Sequence, residues 1–376
     1  MDADFIVIGA GIAGASAAAA LAARGRVLLL EREDAPGYHT TGRSAALYTE
    51  NYGNRVIRIL TIASKPFFAD PPKHLAAHPF LSPRGVLWLA TAAQAASIER
   101  ALVEGAAFPQ RFEEVSRARA LELLPILEPS YIDRAIHEPD ATDMDVNGIH
   151  QAFLKGLRDA GGRLVVSAGD AVARRGAGGW EVETRQGAFR APVVVDAAGA
   201  WADEVARAAG VRPVGLVPKR RTAITFDAPG NADVHVWPMG LDVDETFYFK
   251  PEAGRVLASP ADETPMAPQD IQPDEIDIAE CVDRIERATT LRVRRITHRW
   301  AGLRSFVADK TPVVGEAPEA PGFFWCAGQG GYGIMTSPAM GRAVAGLVAD
   351  GDLPADLRAM GLRREDLAPA RLLAAA

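Results

Sequence analysis

The chain has 376 residues, 48% hydrophobic and 24% charged, a composition that excludes a disordered or fibrous protein. At roughly 150 residues per domain, this length predicts two domains, or at most three. The net charge is −7 because 48 acidic side chains outnumber 41 basic ones, which argues against a nucleic-acid partner. The two cysteines, Cys281 and Cys326, form no CxxC pair, so we expect neither a disulfide framework nor a structural zinc site.

The expected cellular location follows from the length of the apolar runs and from the charges at the N-terminus. No uninterrupted apolar run reaches the about eighteen residues that a membrane span needs. The apolar N-terminus carries Asp2 and Asp4 in place of the basic residues of a secretory signal. We therefore expect no membrane span and a cytoplasmic protein, or one attached peripherally to the inner membrane.

The first thirty residues carry the strongest motif. Phe5–Ile8 reads as a buried strand, residues 15–24 as an alanine- and leucine-rich helix, and residues 26–30 as a second strand that closes on Glu31. Between the first strand and the helix stands Gly9-Ala10-Gly11-Ile12-Ala13-Gly14. This order is typical of dinucleotide binding, since the glycines admit a pyrophosphate at the helix N-terminus and the acid accepts bonds from a ribose. Glu31 disfavours NADP, whereas NAD and FAD both remain open.

Three later segments supply small or polar residues of the same kind. The loop from Pro36 to Ala46 is rich in Gly, Ser and Thr, and a strand near residues 193–195 runs into the small-residue turn 197–200. Near the C-terminus, the strand Phe323–Ala327 meets a third glycine-rich turn, residues 328–333, before a helix from about Met335 to Ala349. Each segment either packs structurally or brings backbone close to a ligand, and the glycine spacing favours the ligand.

The rest of the chain predicts helices near residues 91–104, 116–124, 146–163 and 276–289, with an antiparallel meander over 171–190. Residues 66–145 are proline-rich, which predicts an irregular, inserted substrate segment. Residues 212–295 alternate in the manner of antiparallel strands. These patterns together predict a parallel-sheet domain for the nucleotide and an antiparallel sheet for the substrate.

Six separated segments resemble the DAO superfamily of FAD oxidoreductases, and within it the bacterial D-amino-acid dehydrogenases of the D-arginine dehydrogenase type. They are IVIGAGIAGAS (6–16), LEREDAPGYHTTGRSAA (30–46), VPKRR (217–221), FYFKP (247–251), WAGLRSFVAD (300–309) and QGGYGI (329–334). The resemblance implies an α/β fold, with a Rossmann-like FAD-binding domain of the glutathione-reductase type over 1–75, 145–211 and 296–376. It implies a discontinuous α+β substrate domain, built on an antiparallel sheet, over 76–144 and 212–295.

The same resemblance implies the cofactor site. Its residues would be Gly9, Gly11, Ala13, Gly14, Glu31, Arg32, Thr41, Gly42, Arg43, Ser44, Ala45, Val172, Gly199, Gly330, Gly333 and Ile334. We expect FAD to bind non-covalently. Residues 303–306 lack the cysteine, and the Thr40-Thr41 segment lacks the adjoining histidine, to which covalently flavinylated relatives attach the ring.

The substrate site is also carried by the resemblance. Arg221 and Arg304 would hold the substrate carboxylate, for which the planar, permanently charged guanidinium is suited. Tyr248 and Tyr52 would add hydroxyl groups, and the Gly331 carbonyl would accept a bond from the substrate amine. Without the resemblance, each arginine would be interpreted as half of a surface ion pair.

Three positions depart from the D-arginine dehydrogenase pattern. Val86 stands where that type has a Glu for the guanidinium, Leu47 replaces its active-site His, and Met335 replaces a Gln. Burying a cationic side chain among apolar groups costs several kcal/mol or more. We therefore expect neutral, apolar D-amino acids to be preferred over D-Arg and D-Lys, unless Val86 is simply a core residue.

The implied reaction is oxidative deamination of a D-amino acid to a 2-oxo acid and ammonia, by hydride transfer from Cα to the flavin. A quinone or an electron-transfer carrier is the expected acceptor, as in a dehydrogenase. Three alternatives stay open: a secondary-amine or glycine oxidase, a 2-hydroxy acid dehydrogenase, and a non-catalytic flavin-binding subunit. The second would need a base, which no motif places, although His298 stays open for that role. No pattern in the sequence predicts a metal site.

Overall fold

The structure is a computed structural model that describes residues 1–106, 110–230 and 233–373. Its helices are α1 Ile12–Leu21, α2 Arg55–Ala69, α3 Ala95–Gly105, α4 Arg117–Leu123, α5 Val146–Asp159, α6 Ala202–Ala208, α7 Glu275–Ala288, α8 Gly333–Ala349, α9 Ala355–Ala359, α10 Arg364–Leu367 and α11 Ala370–Leu373. Its strands are β1 Phe5–Ile8, β2 Val27–Leu30, β3 Leu47–Tyr48, β4 Leu81–Pro83, β5 Val86–Ala90, β6 Glu113–Val115, β7 Arg134–Glu138, β8 Thr142–Met144, β9 Arg163–Val165, β10 Val172–Gly176, β11 Gly179–Thr184, β12 Gly187–Ala191, β13 Val193–Asp196, β14 Val217–Asp227, β15 Met239–Asp242, β16 Tyr248–Glu252, β17 Arg255–Ser259, β18 Ile296–Phe306, β19 Val313–Glu316 and β20 Phe323–Ala327.

The first layer is a six-stranded sheet in the order β19-β20-β13-β1-β2-β9, parallel except for the β19–β20 pair. Its central strands are short apolar runs because helices and the β10–β12 meander cover them on both faces. Helix α1 packs against α5 and α8. It begins at Ile12, three residues before the predicted start, because the Gly11 carbonyl already accepts the first helical bond, from the Ala15 N–H at 2.8 Å.

The second layer is an eight-stranded sheet in the order β18-β14-β17-β16-β15-β5-β7-β6. The predicted strands within 212–295 lie in it, whereas residues 66–145 are far more regular than their prolines suggested. They supply β5, β6 and β7 to this sheet, and Pro66 lies inside α2. Strand β18, which begins at the boundary placed at residue 296, pairs with β14 from Val217 to Phe226 and so lies in this sheet, while the division into domains stays a prediction.

Small elements join the two layers and close the fold. The three-stranded sheet β3-β8-β4 brings residues 47–48, 81–83 and 142–144 together, and the predicted meander forms as β10-β11-β12. Helix α5 ends at Asp159, four residues before its predicted end, and α8 starts at Gly333, two residues before its predicted start. Among the helices of the described ranges, none combines the length and apolar character needed to cross a bilayer.

Candidate active site

A cavity of about 460 Å³ opens where β1, β2 and β13 end at their carboxyl edges. Ligands of open α/β sheets bind at this edge. Of the predicted cofactor residues, those that line the cavity are Gly9, Gly11, Ala13, Glu31, Arg32, Thr41, Arg43, Ser44, Ala45, Val172, Gly199, Gly330, Gly333 and Ile334. Gly14 and Gly42 lie behind this lining, where they allow close packing of the backbone.

Glycine is required at two points of the first turn. Gly9 has φ +98°, and a Cβ there would lie 2.5 Å from the Ala197 carbonyl oxygen. A Cβ at Gly14 would overlap the carbonyl oxygen of Gly9. These contacts hold the β1–α1 turn against the β13 turn, and Gly9 and Gly11 of this turn line the cavity, where a pyrophosphate can approach the backbone.

Glu31 secures this turn from the end of β2. One carboxylate oxygen accepts a bond from the Ala10 N–H at 2.9 Å, and the other accepts from the Glu33 N–H at 3.0 Å. Burial raises the pKa of Glu31, and the two backbone N–H groups offset part of that rise. Because a carboxylate has about four acceptor sites, capacity remains for a ribose diol.

The second loop, residues 36–46, contacts the first turn directly. The Thr41 hydroxyl accepts a bond from the Ile12 N–H at 2.9 Å, in the first turn of α1. Arg43, predicted to clamp the pyrophosphate, has another set of partners. It donates to the carbonyls of Ile271 and Ala301 at 3.1 and 3.0 Å and forms an ion pair with Asp270. Its observed contacts tie the loop to the substrate layer.

The far end of the cavity contains an aromatic group that the sequence analysis did not single out. The Arg32 guanidinium lies 4.8 Å from the ring centre of Trp201, and the His39 ring lies 4.6 Å from the same ring. Trp201 follows the small-residue turn after β13, a position that the motif order could have indicated. A cavity lined by glycine turns, a buried acid and an aromatic side chain fits a dinucleotide such as FAD.

A smaller cavity of about 80 Å³ adjoins the first and shares several of its residues. The predicted substrate residues all line it: Arg221, Arg304, Tyr248, Tyr52, Gly331, Leu47, Val86 and Met335. They come from β3, β5, β14, β16, β18 and α8, and from the turns that precede α2 and α8. The sequence analysis therefore assigned to one site residues that the fold brings together.

The two arginines lie on one face of neighbouring strands. Arg221 pairs with Gly302 and Arg304 pairs with Lys219, so the two side chains stand two positions apart along the β14–β18 ladder. Arg221 is 8% exposed and donates to the Asp262 carbonyl at 3.0 Å and to Glu263 at 3.2 Å. Burial and the neighbouring Arg304 lower the pKa of Arg221.

Arg304 faces the turn before α8. A Cβ at Gly331 would lie 2.8 Å from its Nη1, so glycine is needed for the guanidinium to approach this turn. Within the described part of the chain, no carboxylate lies within ion-pair distance of Arg304. Two neighbouring guanidinium groups, one with no such partner, favour binding of a substrate carboxylate.

A carboxylate lies between this inner cavity and an outer one of about 750 Å³, since Glu245 lines both. It accepts a bond from the Tyr52 hydroxyl at 3.0 Å, and burial raises the pKa of that hydroxyl. Glu245 has φ +56°, a left-handed conformation that is uncommon outside glycine. The sequence analysis missed Glu245 because an acid in a turn normally faces solvent.

Glu138, at the end of β7, is the second carboxylate that the sequence analysis missed. It is 0% exposed, lines the inner cavity and pairs with Val86 in the β5–β7 ladder. Burial raises its pKa to about 7, although its hydrogen bonds oppose this rise. The inner cavity is therefore apolar at the three predicted positions but not throughout. An acid that shares a strand face with buried Ile136 was the available signal.

Comparison with known proteins places this geometry among flavoproteins. Human mitochondrial sarcosine dehydrogenase is 23% identical over 384 residues, which cover 96% of this chain and 41% of that protein. The chain thus spans about two-fifths of the length of that relative. Glycine oxidase of Geobacillus kaustophilus is 26% identical over 256 residues, covering 66% of this chain and 65% of that enzyme.

Solved structures show the same fold. Crystalline Geobacillus kaustophilus glycine oxidase superposes with a TM-score of 0.82 at 23% identity, covering 93% of this chain and 95% of that one. L-proline dehydrogenase from P. horikoshii gives 0.82 at 20% identity, covering 99% and 98%. These relatives do not single out the D-arginine dehydrogenase type, so that finer resemblance stays a prediction. The family model described as DAO, FAD dependent oxidoreductase, matches residues 4–347, and the chain belongs to this family of FAD-dependent oxidoreductases.

Proposed function

We propose that this oxidoreductase removes hydride from the Cα of a D-amino acid and releases the 2-oxo acid and ammonia. The observation that carries the proposal is the convergence of Arg221, Arg304, Tyr248 and Gly331 in one small cavity that adjoins the FAD cavity. A carboxylate on the arginines and an amine on a backbone carbonyl fix two substituents of Cα. With these two substituents held, the protein sets the direction of the Cα–H bond relative to the adjoining FAD cavity.

The residues divide the work as follows. Arg221 and Arg304 bind and orient the carboxylate, and the Tyr248 hydroxyl adds a donor beside them. The Gly331 carbonyl accepts an N–H of the substrate amine, which must be unprotonated for its lone pair to assist loss of hydride. FAD, when bound, accepts that hydride. The imino acid leaves and is hydrolysed.

The side-chain end of the cavity supports a neutral substrate. Leu47, Val86 and Met335 supply apolar walls, and the cavity volume of about 80 Å³ suits a short side chain. A cationic side chain would lose its hydration against these walls. We therefore propose that neutral D-amino acids are preferred over D-Arg and D-Lys.

Steady-state assays test the proposal. The FAD-loaded protein is supplied with an artificial quinone and matched D- and L-amino acids, and ammonia and 2-oxo acid are measured. We expect turnover of short neutral D-amino acids with one ammonia per quinone reduced. Faster turnover of D-Arg than of D-Ala, or turnover of L-amino acids alone, would contradict the assignment.

Oxidation of a secondary amine or of glycine is the second candidate. It is favoured by the similarity to sarcosine dehydrogenase and glycine oxidase and by the small inner cavity. Sarcosine and glycine in the same assay, with oxygen consumption measured in parallel, separate the two candidates. A higher kcat/KM for sarcosine than for every primary D-amino acid would favour this second reaction.

Oxidation of a 2-hydroxy acid requires a base for the hydroxyl proton. His298, the base that the sequence left open, is exposed, lies 3.3 Å from Arg255 and lines neither cavity. We therefore retain amine oxidation as the proposal. We also propose that FAD is held non-covalently and that a quinone or an electron carrier, in the cytoplasm or at the inner membrane, accepts its electrons.

A further inference from the structure

The arginines and Glu138 occupy opposite parts of the sheet that forms the inner cavity. In the strand order, Arg304 and Arg221 lie on the first and second strands, Tyr248 on the fourth and Glu138 on the seventh. Met239 pairs with Val86, which pairs with Glu138, so these three side chains share one face. A substrate whose carboxylate binds the arginines therefore extends its side chain toward Glu138.

Glu138 is held in place by neutral donors. Its Oε1 accepts bonds from the Thr49 hydroxyl and from Asn51 Nδ2, the latter at 3.1 Å, and its Oε2 accepts from Trp88 Nε1 at 3.3 Å. Three donors leave about one of the four acceptor sites of a carboxylate open, on the more weakly bonded oxygen.

The side chain of Asn51, which donates to Glu138, also carries an acceptor that lacks a donor in the described part of the chain. Asn51 is 6% exposed, and its Oδ1 has no hydrogen-bond partner among the described residues. Because Asn51 Nδ2 donates to Glu138, this oxygen stands on the same side chain that anchors the carboxylate. Buried acceptors without donors are rare, and each one costs free energy until a donor reaches it. Because Asn51 lines the outer cavity and Glu138 lines the inner one, the acceptor that a substrate side chain can reach is the open site on Glu138.

We propose that Glu138 is a specificity-determining residue that accepts a hydrogen bond from a hydroxyl group on a short, neutral substrate side chain. This inference rests on the proposed function and narrows its substrate class from short neutral side chains to those that carry a hydroxyl group. A methyl group in the hydroxyl position would leave the carboxylate site unpaired. Sites built to hydrogen-bond a hydroxyl reject the analogue that lacks it more strongly than apolar pockets reject an added methylene.

The test uses isosteric pairs on the FAD-loaded protein. D-serine and D-2-aminobutyrate differ by hydroxyl against methyl, and 3-hydroxypropanoate and butanoate are their amine-free, unreactive counterparts. At a pH well above 7, where the Glu138 carboxyl is ionised, we expect kcat/KM to favour D-serine by about tenfold. Calorimetric Kd values should favour 3-hydroxypropanoate by a similar factor, the worth of one hydrogen bond to a charged acceptor. The binding measurement needs no turnover.

Variants assign the preference to one residue. E138M removes both acceptor oxygens and should abolish the preference, whereas E138Q keeps one oxygen and should reduce it. E50Q is the matched control, because Glu50 is also a buried carboxylate of this region but lines neither cavity. E50Q should keep the full preference. If E138M fails to fold, E138Q and the wild-type Kd ratio still decide.

Each remaining outcome overturns one claim. Equal binding of the two unreactive acids by the wild type, or an unchanged ratio in both Glu138 variants, refutes the role of Glu138 while amino-acid oxidation stands. Stronger binding of 5-aminopentanoate than of 3-hydroxypropanoate shows that the acid serves a cation. Failure of every amino acid and carboxylate to react or bind refutes the proposed function itself.

Discussion

In the proposed reaction, Arg304 is the residue on which we expect substrate binding to depend most. Its guanidinium lacks a carboxylate partner within the described ranges, whereas Arg221 beside it is already held by Glu263 and the Asp262 carbonyl. We therefore expect Arg304 to contribute more binding free energy to a substrate carboxylate than Arg221 does. The resemblance identified this arginine, but the sequence could not show that its neighbour is partly neutralised, because Asp262 and Glu263 lie forty residues away along the chain.

Replacing Arg304 with Met should raise KM for the amino acid by about a hundredfold, since losing one partner of a buried, hydrogen-bonded charge pair costs about 2–5 kcal/mol. Initial rates over a range of substrate concentrations give the value. Lys219→Met is the control, because Lys219 pairs with Arg304 in the ladder but lines neither cavity. Equal KM values in both variants would exclude Arg304 from the site.

Replacing Glu31 with Ala should weaken FAD binding by about tenfold or more. The substitution frees two backbone N–H groups and removes the acceptors available to a ribose, and each lost bond costs about 1 kcal/mol. The measurement is the FAD dissociation constant from fluorescence quenching. Glu33→Ala, which alters the neighbouring, more exposed acid, should leave that constant nearly unchanged; an equal loss in both variants would contradict the assigned role.

At the scale of elements, the apolar strands were predictable, whereas the exact starts of the helices that follow the glycine turns were not. The run Phe5–Ile8 and the strand Phe323–Ala327 form as predicted because short apolar runs have few alternatives when both sheet faces are covered. The starts of α1 and α8 were wrong because their first residues include glycines, which lower helix propensity while the turn supplies capping. Pro66 also led to a wrong prediction, because a proline was expected to begin an irregular segment, whereas Pro66 lies inside α2, near its end.

The turn before α8 gives a prediction at this scale. Gly331→Ala places a methyl group 2.8 Å from Arg304 Nη1, so the guanidinium must move. We expect KM for the amino acid to rise by about tenfold, the factor for roughly 1.4 kcal/mol of lost binding, with FAD content unchanged. Gly176→Ala is the control, because a Cβ there meets nothing within 4 Å. Unchanged KM for Gly331→Ala would contradict this geometry.

At the scale of the whole molecule, the site forms where two sheets meet, and that meeting was only partly predictable. The motifs located the parallel layer and the resemblance named the arginines. Glu138 and Glu245 were missed because a charge in a sequence is normally solvated. The β5–β7 ladder buries Glu138, and the turn after β15 half-buries Glu245 against the inner cavity. The alternation of Ile136 and Glu138 along β7 could indicate a shared strand face, but the long-range pairing of Glu138 with Val86, which places that face in the cavity, leaves no local signal.

The pH dependence of the free energy of unfolding should reveal the buried Glu138. Its folded-state pKa of about 7 lies above the ordinary value of 4.5, so the folded chain holds a proton that the unfolded chain releases as pH rises. Its contribution is therefore fully present below about pH 4.5 and is lost by about pH 7, a change of about 3 kcal/mol. The free energies of unfolding in urea of wild type and E138Q should diverge by this amount over that pH range. Parallel pH dependences would contradict a Glu138 carboxyl whose pKa is raised by burial.

Anaerobic reduction of bound FAD tests the central claim most directly. The purified protein is loaded with FAD, freed of excess cofactor and mixed without oxygen with a short neutral D-amino acid and then with its L-enantiomer. The account predicts a yellow protein whose flavin absorbance is lost with the D-enantiomer, and far more slowly in Arg304→Met. A protein that does not retain FAD, or whose flavin stays oxidised with every amino acid, would contradict it.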